Sequence, residues 1–179
     1  VAQGRDGSVP HNKGRDRQAV RLGQPIVFDI FPQEIGGGYF FDFTRTICFG
    51  SASEPVKQLY RTVSGAHDHA CRLLKVGRAT RDVEQKICRY FEEKGHRTFL
   101  TDAKTEVGYC HSLGHGVGLN VHESPFFSLL KTNRDRLEPG MVFTIEPGLY
   151  YREKGCGVAT EDVIYIDKKG KVVNLTHYP

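Results

Sequence analysis

Residues 24–49, QPIVFDIFPQEIGGGYFFDFTRTICF, place two apolar runs around a triple glycine. The first, QPIVFDIFP over 24–32, is bounded by Pro25 and Pro32, which is a strand signal. The second, YFFDFTRTICF over 39–49, is aromatic and β-branched and suits a pleated, half-buried surface. Gly36, Gly37 and Gly38 tolerate any backbone conformation and mark the turn. The stretch predicts a β-hairpin with one acid in each strand, Asp29 and Asp42.

Beyond the hairpin the hydrophobic period changes. In residues 51–77, Val56, Leu59, Tyr60, Val63, Ala66, Ala70, Leu73 and Leu74 recur at helical spacing. Ser53 suits the N-cap, Pro55 the first turn and Gly77 the stop. A second helix starts near Thr80 with Asp82 and Glu84 in its first turn, turns Val83, Ile87, Tyr90 and Phe91 inward, and stops at Gly95. The remainder reads as strands. GYCHSLGHGVGLNVHE (108–123) is extended and punctuated by glycine; 140–151 and 157–175 follow, the last turning at Lys169–Gly170. Hairpin, two helices, then strands make an α+β domain, with the helices on one face of a mostly antiparallel sheet.

The 179 residues suit one domain. The formal charge is +4, and the basic residues are scattered without a run of five or six, which argues against a nucleic-acid surface. No apolar run approaches the ~18 residues of a membrane span. Five cysteines, an odd number with no CxxC, argue against a disulfide framework or a zinc knuckle and suggest a reducing, cytoplasmic setting. The chain opens VAQGRDGSVPHNKG without a methionine and reads as the middle of a domain, so an N-terminal part is expected ahead of it.

Four acids stand in apolar, strand-like text: Asp29 in IVFDIF, Asp42 in YFFDFT, Glu146 in VFTIEPG and Glu161 in VATEDVIYI. Singly, each could be a salt-bridged or edge residue, and Glu161 could simply pair with an arginine. Enclosing four unpaired carboxylates costs several kcal/mol apiece. Two divalent cations ~3.5–4 Å apart would offset all four together, and bridging carboxylates fit such a pair. A histidine would complete the site. HSLGHGVGLNVHESP (111–125) offers His111, His115 and His122. Its glycines could mark only a bulge. Other chemistries fit less well. GHGVG lacks the lysine of a phosphate loop, HSLGH is not a GxSxG elbow, and Cys48 and Cys110 read as small apolar fillers.

Together FDIFP…GGGYFFDFTRT, HSLGHGVGLNVHESP, FTIEPGLYY and ATEDV resemble the pita-bread metallopeptidases: Xaa-Pro aminopeptidases, prolidases and methionine aminopeptidases. DFTRT, EPGLYY and a histidine four residues before HGVG are similar to the Xaa-Pro branch. The resemblance implies a curved, mostly antiparallel sheet with helices on its outer face, and one incomplete catalytic domain over 1–179. It implies five metal ligands: Asp29 chelating one ion, Asp42 and Glu161 bridging two, His115 and Glu146 completing the second. Manganese is the expected metal, with cobalt or zinc as alternatives. His11 in VPHN, His111 and His122 match the substrate-side histidines, and Glu146, His122 and His11 the catalytic groups. The implied reaction is hydrolysis of an N-terminal peptide bond, ahead of proline, by a hydroxide between the two metals. A homodimer acting on short peptides is expected. Two departures stand out. The hairpin acids are thirteen apart (42 minus 29), which the IGGG turn absorbs as extra length. Ala159 stands where Xaa-Pro members carry an arginine, so strict proline preference does not carry over. The alternatives are a metal-free, creatinase-like hydrolase and a non-catalytic peptide- or protein-binding module; retention of all five ligand positions argues against both.

Overall fold

The computed structural model describes residues 1–176. Strands β1 (Ala2–Gln3), β2 (Pro25–Ile30) and β3 (Phe43–Cys48) form one antiparallel sheet. Helices α1 (Glu54–Leu73) and α2 (Thr80–Glu93) follow. A second sheet takes the order β10–β9–β6–β4–β5, again antiparallel, from β4 (His115–Gly116), β5 (Glu123–Phe126), β6 (Val142–Ile145), β9 (Asp162–Ile166) and β10 (Val172–Asn174). Strands β7 (Gly148–Tyr151) and β8 (Cys156–Ala159) make a separate pair.

The hairpin, both helices and the strand-rich second half form as the sequence predicts. The strands are shorter and more numerous. The stretch 140–151 divides into β6 and β7 at Glu146–Pro147, because Pro147 has no N–H for the ladder and the chain changes partner there. The stretch 157–175 divides into β8, β9 and β10. The second hairpin strand begins at Phe43 rather than 39; the tip keeps only an isolated bridge, Gln33↔Phe40, and the Phe40 N–H donates to the Gly118 carbonyl (2.8 Å).

Helix α1 buries Val56, Leu59, Val63, Ala66 and Ala70, and α2 buries Val83, Ile87 and Phe91. They pack with Phe143 and Ile145 of β6 and Ile164 and Ile166 of β9 in one apolar core. Tyr60, one of the residues at helical spacing, is 40% exposed, since it lies on the flank of the α1 stripe. Ser53 occupies the N-cap but makes no side-chain cap bond. Residues alternate across a strand. With Phe143 and Ile145 committed to the helices, Thr144 and Glu146 turn to the opposite face, where the polar site lies.

Candidate metal centre

A cavity of about 480 Å³ opens on that face. All eight residues singled out from the sequence line it: His11, Asp29, Asp42, His111, His115, His122, Glu146 and Glu161. Asp29 lies within β2, opposite Thr44. Asp42, Glu146 and Glu161 sit one residue outside β3, β6 and β9, where the chain enters or leaves a ladder. Oxygens of Asp42 and Glu161 and a ring nitrogen of His115 lie within 4.8 Å of one another, and all three residues are buried. Nε2 of His115 is 3.2 Å from Oε1 of Glu146 and 3.8 Å from Oδ2 of Asp42.

His115 has its orientation fixed from behind. Its Nδ1 lies 3.0 Å from the Gly116 carbonyl, which can only accept, so Nδ1 carries a proton and Nε2 is the nitrogen aimed at the acids. Thr144 Oγ1 lies 3.1 Å from the His115 N–H and 3.2 Å from Glu146 Oε1. The Thr44 hydroxyl donates to Glu161 Oε2 (2.7 Å). His111 lies 3.2 Å from the Tyr150 hydroxyl through Nε2, and its Nδ1 donates to the Ser112 carbonyl. The His115 and His122 rings meet edge-on, 4.3 Å between centroids. His11, facing His111 at 6.2 Å, holds a left-handed φ of 56°, uncommon for a side-chain-bearing residue.

The electrostatics follow from enclosing several acids together. Burial, then the charges of Asp29 and Glu146, push the Asp42 carboxyl up to about 7. Burial, then Glu146 and Asp42, push Glu161 well above the usual carboxylate range. Burial also acts upward on Glu146, but the His115 hydrogen bond and the His111 charge outweigh it and hold the group below its ordinary value. Burial acts to lower His115, and the Glu146 bond raises it overall. Protons on the acids and on Nε2 therefore occupy positions that a cation would fill. The donor set of carboxylate oxygens plus one imidazole suits a hard or borderline divalent ion.

Several contributors were not picked out from the sequence. Thr44, Thr144 and Tyr150 read as ordinary strand residues. Glu84 reads as a first-turn helix acid, yet it is fully buried. Its carboxylate accepts from the Leu113 N–H (2.6 Å) and the Tyr109 hydroxyl (2.8 Å), and burial pushes its pKa up to about 8. Leu113 in turn accepts from the Glu146 N–H (2.7 Å), so Glu84 steadies the segment between the two motifs. Its signal was its place beside Val83 and four residues before Cys88, on the buried face of α2. The glycines of GHGVG do mark a bulge, between His115 and Gly116, but the bulge is part of the site.

An acid-and-histidine cavity on one face of antiparallel sheets, with helices covering the other, is the arrangement of the pita-bread peptidases. The chain belongs to metallopeptidase family M24, whose model matches residues 1–168. It is 34% identical to the uncharacterized peptidase YqhT of Bacillus subtilis over its whole length, 46% of that protein. It is 33% identical to the Xaa-Pro dipeptidase of Pyrococcus furiosus, over 95% of this chain and 44% of the relative. The solved prolidase of Pyrococcus horikoshii superposes with a TM-score of 0.86 at 34% identity, covering 100% of this chain and 47% of that one. The chain thus spans about half the length of these relatives. The family implies divalent metal ions, and the residues of this cavity fit them.

A pH dependence follows. Asp42 and Glu161 are raised in the fold, so the stability they contribute is present below the ordinary carboxylate range. It is lost as pH rises through about 7, the folded value of Asp42. Metal binding requires both ionised and must expel their protons. The Tm gained on adding Mn²⁺ is expected to grow from pH 5.5 to pH 8, and calorimetry at pH 6 in buffers of different ionisation enthalpy should record proton release. A Tm gain independent of pH, with no proton released, would contradict this assignment.

Proposed function

We propose that this chain carries the catalytic centre of a metal-dependent exopeptidase that hydrolyses an N-terminal peptide bond of Xaa-Pro substrates. The observation that supports it most is the convergence of Asp29, Asp42, His115, Glu146 and Glu161 in one cavity rimmed by His11, His111 and His122, taken with relatives named Xaa-Pro dipeptidase and prolidase. In this reading Asp29, Asp42, His115, Glu146 and Glu161 would together hold two divalent cations, with manganese as the metal. The ions would supply an acidified water and a polarised carbonyl.

The chain's own groups do the rest. Glu146 sits at the cavity wall with its carboxyl held below its ordinary value by the His115 hydrogen bond, and there it would take up a proton and deliver it to the leaving nitrogen. Burial, then the charge on His115, keep His122 below its ordinary value. As a neutral donor on the exposed rim it stabilises the developing oxyanion. His11 and His111, whose Nε2 is engaged by Tyr150, shape the pocket for the substrate's amino end. Ala159 leaves the wall beside Glu161 without a long side chain, which admits residues other than proline. A homodimer belongs to the same reading.

The test is hydrolysis of Xaa-Pro dipeptides and longer Xaa-Pro peptides by the full-length protein, before and after chelation and Mn²⁺ readdition. Hydrolysis that disappears on chelation and returns with Mn²⁺ is expected. Activity untouched by thorough chelation would point to a metal-free hydrolase. A metal-loaded but inert protein would point to a binding module.

A further inference from the structure

The acids of the cavity come from two different sheets. Asp29 and Asp42 belong to the β2–β3 hairpin; His115, Glu146 and Glu161 belong to the ends of strands in the five-stranded sheet. Asp42 and Glu161, whose oxygens lie within 4.8 Å of one another, therefore sit on opposite sides of a seam. The seam is joined by an isolated bridge, Thr44↔Glu161; beside it the Thr46 hydroxyl ties β3 to β8, donating to the Ala159 carbonyl (2.8 Å) and accepting from the Ala159 N–H (2.9 Å).

Behind that bridge, on the helix side, lies a buried charged cluster that the catalytic reading does not use. Arg45 Nη1 donates to the carbonyls of Glu161 (2.7 Å) and Thr44 (3.0 Å), one on each side of the seam. Its Nη2 donates to Asp162 Oδ1 (2.7 Å) and to the Thr176 carbonyl (3.2 Å). The guanidinium also lies over the Phe43 ring, 4.3 Å from its centroid. Asp162 Oδ1 accepts from the Thr176 hydroxyl (2.9 Å), and Oδ2 from Asn174 Nδ2 (2.6 Å). His67 of α1 approaches Oδ2 through Nε2 at 3.2 Å. Arg45, Asp162 and His67 are each less than one-tenth exposed.

Neighbours on a strand point to opposite faces. Thr44 and Glu161 meet on the cavity side through a 2.7 Å hydrogen bond; Arg45 and Asp162, each one residue further on, meet on the helix side. The two pairs are front and back of one junction. Buried ion pairs are poor sources of net stability, because desolvation offsets their attraction. What a planar, five-donor guanidinium supplies is fixed geometry.

We propose that Arg45 and Asp162, clamped by His67, are positioning residues that set the spacing of Asp42 and Glu161 across the seam and so tune metal affinity. This rests on the metal-site reading above. Lysine cannot reproduce the fork that spans both carbonyls, whereas an apolar pair of similar volume can fill the space without holding the register.

The test compares Mn²⁺ affinity by calorimetry and Tm in the full-length wild type, Arg45→Lys, the double variant Arg45→Met/Asp162→Leu, and a core control, Phe91→Leu, away from the seam. Outer-shell partners of metal ligands typically change affinity by about 10–100-fold; a weakening in that range is expected for Arg45→Lys. The double variant should keep the affinity loss. Phe91→Leu should lower Tm and leave affinity unchanged. Wild-type affinity in Arg45→Lys or in the double variant, or equal loss in Phe91→Leu, would overturn the positioning role. A wild type that binds no Mn²⁺ would instead overturn the metal-site reading.

Discussion

Glu146→Gln is expected to lower kcat on an Xaa-Pro peptide by about 10²–10⁴-fold, the range for loss of a positioned acid–base group. Glutamine keeps the side-chain length and an oxygen for the Thr144 hydroxyl, now 3.2 Å from Oε1. It removes the negative charge that meets His115 Nε2 at 3.2 Å, and it cannot carry a proton between water and the leaving nitrogen. Metal affinity should fall as well, because one charged oxygen donor is gone. Steady-state kinetics at saturating Mn²⁺ separate the effects: excess metal restores occupancy and leaves kcat depressed. A variant with more than about a hundredth of wild-type kcat under those conditions would be inconsistent with the proton-transfer role, given the low end of that range.

Gly114→Ala carries the second largest effect, and it acts through the backbone. A Cβ at this position would lie 2.0 Å from the Thr144 carbonyl oxygen and 2.8 Å from its carbon. Those are main-chain atoms of β6, so relief requires β4 to move away from β6. The movement carries His115 from Glu146 and breaks the hydrogen bond between the His115 N–H and Thr144 Oγ1. Overpacking of this kind costs about 1–3 kcal/mol, and more where backbone must shift. Denaturant unfolding should register that loss, and Mn²⁺ affinity should collapse at temperatures where the variant remains folded. Gly118→Ala is the internal comparison. Its Cβ would meet the Glu123 carboxylate, Oε1 at 2.3 Å, which is a side-chain end able to rotate aside. The milder outcome expected there separates steric conflict with backbone from mere loss of a glycine; equal damage in both would sink the distinction.

The readable part of the molecule was the part governed by local rules. Apolar, β-branched runs around a triple glycine identified the β2–β3 hairpin, and period-3.6 text identified α1 and α2. Acids in apolar text identified the cavity, because enclosing charge is costly wherever it occurs. Local rules failed where the chain changed partners. Pro147 ends β6 and a new strand pair begins at Gly148, yet 140–151 reads as one run. Tyr60 fits a helical stripe that the real core leaves on its flank. Glu84 follows Asp82 so closely that it passes for a second surface acid, and only the arrival of Tyr109 and Leu113 from distant sequence makes it a buried acceptor.

The amino-acid order alone settled the class of the domain and the residue types that gather in its cavity, since both depend on apolar runs, helical spacing, punctuation and the cost of hiding charge, which are legible over a few residues. Which Glu–Asp neighbour faces the cavity and which faces a helix is a different matter. Glu161 and Asp162 are adjacent acids in the same text. Their opposite fates depend on Thr44 lying in front and on Arg45 and His67 lying behind, at sequence separations of roughly a hundred residues. Only the folded arrangement brings those groups together, because hydrogen bonds and ion pairs act over a few ångströms of space, whatever the distance along the chain.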